Sequence, residues 1–413
     1  MDYDPPLDPM SLPAVAHFQP IVAIDNPSSI YSFEALGRYA DAGGTTRSLG
    51  PFFANPAVPA REAFLMDLRV RRDALRRFAE EGRGDEFLFL NFRLEWIANR
   101  REHSGKPSTL QLAEEFGIDP RRLVIEITEE DFSHPNADYD QLLAAYRRFG
   151  LRIAIDDFGE NASNLERLAQ VRPDILKLDR EYIRKSEDSP YYRDYLESIT
   201  AFAERMGIET LYEGIETEKQ LAACIAAKGR YYQGFLLARP QPSLREAVTN
   251  QEILTRTADK LNSASRERRA LLCALCRTWD DLVAQFLARE PVEAAGEDLD
   301  AKFSRFFSRL SPSVKRVFLC DSRGVQLSRN IERGAEGTIL LDYRRRNWAW
   351  RGFFQEAMEF FASGGKSYLT NDYLDAATKE KIYTYVNIIG ENLYLFIDIR
   401  DFGESKTLTG RLG

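Results

Sequence analysis

Up to Pro242 the chain alternates short apolar runs with longer stretches whose apolar residues recur every three or four positions. The runs at 21–24, 30–34, 87–91, 123–127, 152–156, 175–178, 209–212 and 231–235 have the length and composition of buried strands. Between them, 61–81, 139–149, 191–206 and 219–227 carry the helical spacing. Strands joined by helical crossovers predict an α/β chain built on a (β/α)8 TIM-like barrel. The first two runs are too close in sequence for a crossover helix. They should pair antiparallel, which makes the barrel a modified one.

After Pro242 the pattern changes. Ser243-Leu244-Arg245-Glu246 matches a capping box and predicts a long charged helix over 243–289. Leu254, Leu261, Leu271, Leu275, Trp279, Leu282 and Phe286 give it an apolar stripe, suited either to pairing with a second copy or to packing on its own domain. The 290–300 stretch reads as a loop. Short strands are expected at 317–320, 325–327, 367–369, 382–389 and 393–399, giving a small α+β domain. The expected organisation is a barrel over 1–245, a helical linker over 246–290 and a second domain over 291–413.

Polar residues with oxygen ligands follow five of the apolar runs: Glu34, Asn91, Glu126, Asp156-Asp157 and Glu213. Parallel strands of a barrel deliver such residues to one face, where a hard-metal site can form. Carboxylates gathered without cations would repel, so Mg²⁺ or Mn²⁺ is expected, with metal-assisted chemistry on an anion.

Composition narrows the partners. With 413 residues, 44% of them hydrophobic, the chain can bury a sizeable core. A formal net charge of -8 argues against a nucleic-acid-binding surface but leaves room for a small anion held through metals. Residues 1–10 lack the basic flank and apolar stretch of a secretory signal. No apolar run approaches the roughly 20 residues that span a bilayer, so a cytoplasmic protein without membrane insertion is expected. Cys224, Cys273, Cys276 and Cys320 are scattered, as in a reducing compartment. The Cys273-x-x-Cys276 pair lacks partners for zinc and sits among leucines, which suggests structural cysteines on a buried helix face. His17, His103 and His134 fall in no ligand pattern.

Beyond spacing, Glu34-Ala35-Leu36-Gly37-Arg38 resembles the E-A-L-x-R motif of the EAL family of cyclic di-GMP phosphodiesterases. Further pieces follow in that family's order: Phe18-Gln19-Pro20-Ile21, Asn91, Glu126-Ile127-Thr128-Glu129, Asp156-Asp157-Phe158-Gly159, Lys177-Leu178-Asp179, Glu213-Gly214-Ile215-Glu216-Thr217 and Gln233-Gly234-Phe235. Each is weak alone; their joint order over roughly 10–245 carries the resemblance. It implies that Glu34, Asn91, Glu126 and Asp156 bind one cation, and that Asp156 bridges to a second held with Asp157 and Glu213. Two cations about 3.5 to 4 Å apart activate a bridging water and neutralise charge on the attacked phosphodiester. Ca²⁺ is expected to inhibit. The resemblance further implies catalytic roles for Lys177, Glu213, Asp156 and Asp157, and substrate contacts from Gln19, Arg38, Asp179 and Gln233. Arg38 would pair with a phosphate and the glutamines would meet guanine edges or ribose. The implied product is linear pGpG, and the implied assembly a homodimer.

Blander roles stay open residue by residue. Lys177 and Asp179 could form a surface pair, Arg38 could cap a helix, and Gln233 could satisfy a buried backbone group. Arg83-Gly84-Asp85-Glu86-Phe87 imitates a diguanylate cyclase loop, but it directly precedes the run ending in Asn91 and is expected to be a barrel loop.

The sequence departs from the family pattern after Asp156-Asp157. Active members read D-D-F-G-T-G-Y-S-S-L, whereas this chain continues Phe158-Gly159-Glu160-Asn161-Ala162-Ser163-Asn164-Leu165. Asn161 restricts the backbone where glycine is usual, and Glu160 adds a negative charge. Glu129, expected to brace that loop, is retained, while Arg93 stands where serine is usual. Conditional or impaired turnover with binding intact is the expectation. The C-terminal part resembles PAS-like or Cache-like sensor domains found in some family members, through Asn347-Trp348-Ala349-Trp350-Arg351, 368–375 and Tyr394-Leu395-Phe396-Ile397-Asp398. A small ligand or protein partner is expected there. Three functions follow: a regulated phosphodiesterase, a cyclic di-GMP receptor, or a scaffold that binds no nucleotide.

Overall fold

The computed structural model describes residues 14–41, 43–93, 107–128, 137–159, 165–292, 298–334, 337–375 and 378–400. The residues divide into two compact units, Met1–Ser263 and Ala264–Gly413. Glu129, the 160–164 loop, His103, His134 and residues 1–10 lie outside the described residues.

In the first unit the strands are β1 (Ala14–Ala23), β2 (Ile30–Ala40), β3 (Thr46–Ser48), β4 (Phe87–Asn91), β5 (Leu123–Thr128), β6 (Arg152–Phe158), β7 (Ile175–Leu178), β8 (Glu209–Tyr212) and β9 (Tyr231–Tyr232). They run in the order β1-β9-β8-β7-β6-β5-β4-β2-β3, and β1 also pairs with β2, which closes the barrel and leaves β3 as a hairpin extension. From β2 through β4 to β9 the pairs are parallel, but β1 is antiparallel to both β2 and β9. The modified barrel is therefore the observed fold. β1 begins seven residues earlier than expected, at Ala14 rather than Ile21, and so includes Gln19.

Side chains on a strand alternate between faces. Ile21, Phe89, Val124, Ala154, Ile175, Leu211 and Tyr231 form one buried cluster inside the barrel. Their neighbours, among them Leu88, Leu90, Ile125, Ile153, Leu176 and Tyr232, belong to the larger core shared with the surrounding helices. A strict period of two thus separates interior from exterior. It also fixes where the next interior residue of each strand must point.

In the second unit an antiparallel sheet runs β12-β11-β10-β16-β15-β13, with β14 paired to β15. Its strands are β10 (Val314–Cys320), β11 (Asn330–Gly334), β12 (Gly337–Leu341), β13 (Ser367–Leu369), β14 (Tyr373–Leu374), β15 (Lys381–Gly390) and β16 (Leu393–Arg400). Helices Leu299–Phe307 and Gly352–Ala362 complete this α+β unit. The expected strand at 325–327 is reduced to isolated bridges, Cys320 with Gln326 and Val325 with Asn347.

The long helix is Gln251–Arg289, not 243–289. Ser243 caps nothing: its hydroxyl donates to Glu81 Oε2 at 2.7 Å, and the Leu244 N–H reaches the same oxygen at 2.9 Å. Tertiary partners therefore captured the capping-box residues. A complete capping box occurs instead at Thr217 and Gln220. The helix contributes Trp279, Val283 and Phe286 to the second unit's core, but Cys273 is exposed, which corrects the expectation of a buried cysteine pair. Among the described residues no helix is long and apolar enough to cross a membrane.

Candidate active site

One step beyond the interior apolar layer, each barrel strand or its immediate extension supplies a polar residue. Phe89 is followed two positions on by Asn91, Val124 by Glu126, Ala154 by Asp156, Ile175 by Lys177, Leu211 by Glu213, and Tyr231 by Gln233. On β2 the residue is Glu34, two after buried Ser32. On the reversed β1 it is Gln19, which sits opposite Glu34 in register. A ring of eight polar groups at the carboxyl ends of the parallel strands follows from strand geometry alone.

Lys177 is fully buried at the centre of this ring. Its ammonium lies 2.6 Å from Glu126 Oε1, 2.9 Å from Asp156 Oδ1, 3.0 Å from Glu213 Oε1 and 3.9 Å from Glu34 Oε1. Asn91 and Gln233 orient Glu34 by donating amide bonds of 3.0 Å and 2.7 Å to its two oxygens. Gln19 donates to the Ala238 carbonyl at 3.1 Å. Glycines hold these ends together. A Cβ at Gly234 would lie 2.1 Å from the Ile215 carbonyl oxygen, and Gly214 adopts φ +62° against Arg180.

The charges do not balance. Four carboxylates share one ammonium within 4 Å. Burial, reinforced by Glu34 and Asp156, pushes Glu126 well above the ordinary carboxylate range against the pull of Lys177. Burial and Asp156 do the same to Glu213. Although burial opposes its charge, the surrounding carboxylates raise Lys177 well above the usual lysine value. Burial also opposes the Asp156 charge, but Lys177 outweighs it and holds that carboxyl low. Both oxygens of Glu126 and Oε1 of Glu213 remain buried without a directed hydrogen-bond donor.

Among the described residues no group of three or more His, Cys, Asp and Glu side chains stands at metal-binding spacing, and the carboxylates of the ring surround the Lys177 ammonium. The residues nonetheless fit a divalent cation: hard oxygen donors, excess negative charge and buried acceptor atoms that share one ammonium. An adjoining cavity of about 290 Å³, lined by Arg38, Asn91, Arg93, Thr128, Asp156 and Asp157, gives a ligand access.

Residues 14–240 match the EAL domain family, and residues 248–402 match the EAL-domain associated signalling protein domain. The chain belongs to the EAL-domain family. It is 30% identical over 402 residues to the uncharacterised EAL-domain protein YkuI of Bacillus subtilis, spanning 95% of this chain and 97% of that one. The crystal structure of YkuI in complex with substrate c-di-GMP and calcium matches with a TM-score of 0.83 at 28% identity, covering 96% of this chain and all of that one. The manganese and cyclic di-GMP complex of Klebsiella pneumoniae BlrP1 matches with a TM-score of 0.50 at 28% identity, over 56% of this chain and 57% of that one. The cyclic di-GMP phosphodiesterase RocR of Pseudomonas aeruginosa is 34% identical over 131 residues, 32% of this chain and 33% of its own length.

Against the EAL motifs, the structure brings Gln19, Glu34, Asn91, Glu126, Asp156, Lys177, Glu213 and Gln233 into the ring. Asp157 joins by a different route. The β6–β7 register breaks between Ile155 and Phe158, and Asp157 takes φ +54°, so adjacent aspartates both line the cavity. Arg38 lines the same cavity and donates to the Gly37 carbonyl at 2.9 Å. Asp179 is not brought in; its Oδ1 accepts the Glu181 N–H at 2.8 Å and caps helix Arg180–Ser186. Asp67 and buried Arg71 form an ion pair on the cavity wall, with the Arg71 guanidinium 4.6 Å from the Phe92 ring centre. Sequence reading passed over them, although a charged i,i+4 pair within the stripe Met66, Val70, Ala74 was a visible signal. The 83–86 segment is a loop before β4, which starts at Phe87, and in it Glu86 accepts the N–H groups of Arg83 and Gly84.

Proposed function

We propose that the barrel hydrolyses cyclic di-GMP to linear pGpG with divalent cations, Mg²⁺ or Mn²⁺. The observation that carries this reading is the ring of oxygen ligands holding more buried carboxylates than cations. RocR's activity and the cyclic di-GMP complexes of YkuI and BlrP1 support the choice of substrate. Glu34, Asn91, Glu126 and Asp156 would hold one cation, with Asp157 and Glu213 contributing to a second. Such cations activate water and neutralise charge that develops on a phosphodiester.

The chain's own groups do the rest. Lys177, kept protonated by its carboxylate neighbours, places a fixed positive charge beside the attacked phosphate and its incoming water. Arg38 offers a forked donor to the phosphate from the cavity wall. Gln19 and Gln233 hold amide groups for guanine edges or ribose. Water adds to phosphorus, the bond to the ribose 3′ oxygen breaks, and that oxygen leaves with a proton, which gives the 5′-phosphorylated dinucleotide.

A second reading rests on Glu160 and Asn161, which replace the family's Thr and Gly: the barrel binds the dinucleotide and turns it over slowly or not at all. Incubation with cyclic di-GMP and Mn²⁺, with pGpG quantified by chromatography, separates the two. Product that is lost in Asp156→Ala supports hydrolysis. Tight binding by calorimetry without product would make the protein a receptor.

A further inference from the structure

The second unit holds a cavity of about 370 Å³. That is at the small end of the roughly 300–1,000 Å³ typical of ligand sites. Its floor is charged. Arg316 forms an ion pair with Asp398 at 3.0 Å and another with Asp375, and both aspartates are buried. Glu332 lies 3.6 Å from the same guanidinium and the Lys315 ammonium 3.5 Å from Asp375, so three carboxylates face two cations. Burial lifts Asp398 above the usual carboxylate range in spite of Arg316. A further cation at this floor would relieve that cost.

The walls are aromatic and rigid. Phe353 and Tyr373 stack at 5.5 Å with their planes 10° apart. Trp348 is fixed by a 2.8 Å bond from its indole N–H to Gln326 Oε1. On the cavity's lining two further guanidiniums carry the opposite charge: Arg346 lies 4.1 Å from the Tyr343 ring centre, and Arg351 lies 5.6 Å from that of Tyr373. No ion pair to a carboxylate is found for either among the described residues. A purely structural charge network would be sealed by packing. This one opens onto a volume whose wall residue Trp350 is 69% exposed.

We infer that this cavity binds a small zwitterion bearing a primary ammonium, a carboxylate and an apolar side group, the chemistry of an apolar or aromatic α-amino acid. The ammonium meets Asp398 and Asp375, the carboxylate meets Arg346 or Arg351, and the aromatic walls take the side group. Nothing in this inference depends on hydrolysis in the barrel.

The test uses the full chain, with thermal unfolding and calorimetry against the standard L-amino acids. The controls are phenethylamine, which lacks the carboxylate, and 3-phenylpropionate, which lacks the ammonium. At least one apolar amino acid should raise the midpoint and bind about tenfold or more tighter than either control, the worth of one charge-assisted bond. Arg346→Ala changes an exposed side chain and should weaken the amino acid about tenfold while leaving phenethylamine unaffected. Asp398→Asn should abolish binding of both. No binding by any amino acid at millimolar concentration would overturn the inference, as would an amine that binds as tightly as the zwitterion or an unchanged affinity in both Arg346→Ala and Arg351→Ala.

Discussion

The two units bury charge in opposite ways. In the barrel four carboxylates crowd one ammonium, and Glu126 keeps both oxygens without a directed donor. In the second unit the aspartates beside Arg316 are finished by hydroxyl and backbone donors: Thr384 reaches Asp398 at 2.6 Å, and the Thr378 N–H reaches Asp375 at 2.8 Å. Completed networks specify a fold, whereas an uncompensated cluster awaits a ligand that supplies the missing charge. The barrel site asks for cations. The second network already holds Arg316 and Lys315 against its aspartates, and leaves room on its open side for an organic ammonium rather than a metal.

Removing the central cation from each site gives the largest contrast. Lys177→Met should cost about 3–5 kcal/mol of stability in the absence of divalent ions, because it strands the carboxylates, and Mn²⁺ should restore part of it. Arg316→Met should cost a similar amount, about 3–5 kcal/mol, with no recovery on adding Mn²⁺. Denaturant unfolding with and without the ion reads both, and equal recovery in the two variants would break the comparison.

Removing one excess carboxylate sharpens it. Glu126→Gln should raise metal-free stability by about 1 kcal/mol while weakening Mn²⁺ binding, since it lowers the repulsion that the ion relieves. Loss of stability without the ion would show that the carboxylates are already compensated.

The second unit carries a pH signature of its own. Burial pulls Asp375 upward, but the Thr378 N–H, Arg316 and Lys315 outweigh it and hold the carboxyl at about 2, below its ordinary 3.8. The stability it contributes is therefore complete above the ordinary value and is lost as pH falls towards 2. After solvent screening this is on the order of 1 kcal/mol. Asp375→Asn should flatten the unfolding free energy over that interval. An unchanged profile would remove Asp375 from the network. The smallest expected effect is a severalfold rise in pGpG formation when Glu160→Thr and Asn161→Gly are combined, measured by chromatography; no rise would acquit the loop.

Much of the barrel site was legible because strand periodicity and ligand delivery are one fact. A residue two positions past an interior apolar side chain must enter the same interior, which placed Asn91, Glu126 and Asp156, whereas Lys177 was reached through the EAL resemblance. Asp157 was legible as a neighbour of Asp156 after an apolar run, but its route into the site was not, since it depends on a register break and a positive φ that composition does not encode. Asp179 has a local role that its place before a helix also predicts, since its side chain accepts a free backbone N–H of the first turn. Ser243 misled because Glu81, distant in sequence, competes for the hydroxyl of an apparent cap. The charged cavity of the second unit brings together Arg316, Asp375 and Asp398 from separate strands and loops, and no spacing rule links them.

The most direct measurement is a Mn²⁺ titration of the full chain followed by electron paramagnetic resonance of the free ion, comparing the natural protein with Asp156→Asn. The account expects saturable binding in the natural protein that is lost or strongly weakened in the variant. Equal binding by the two, or none by either with cyclic di-GMP present, would contradict the claim that the barrel's excess carboxylates form a cation site.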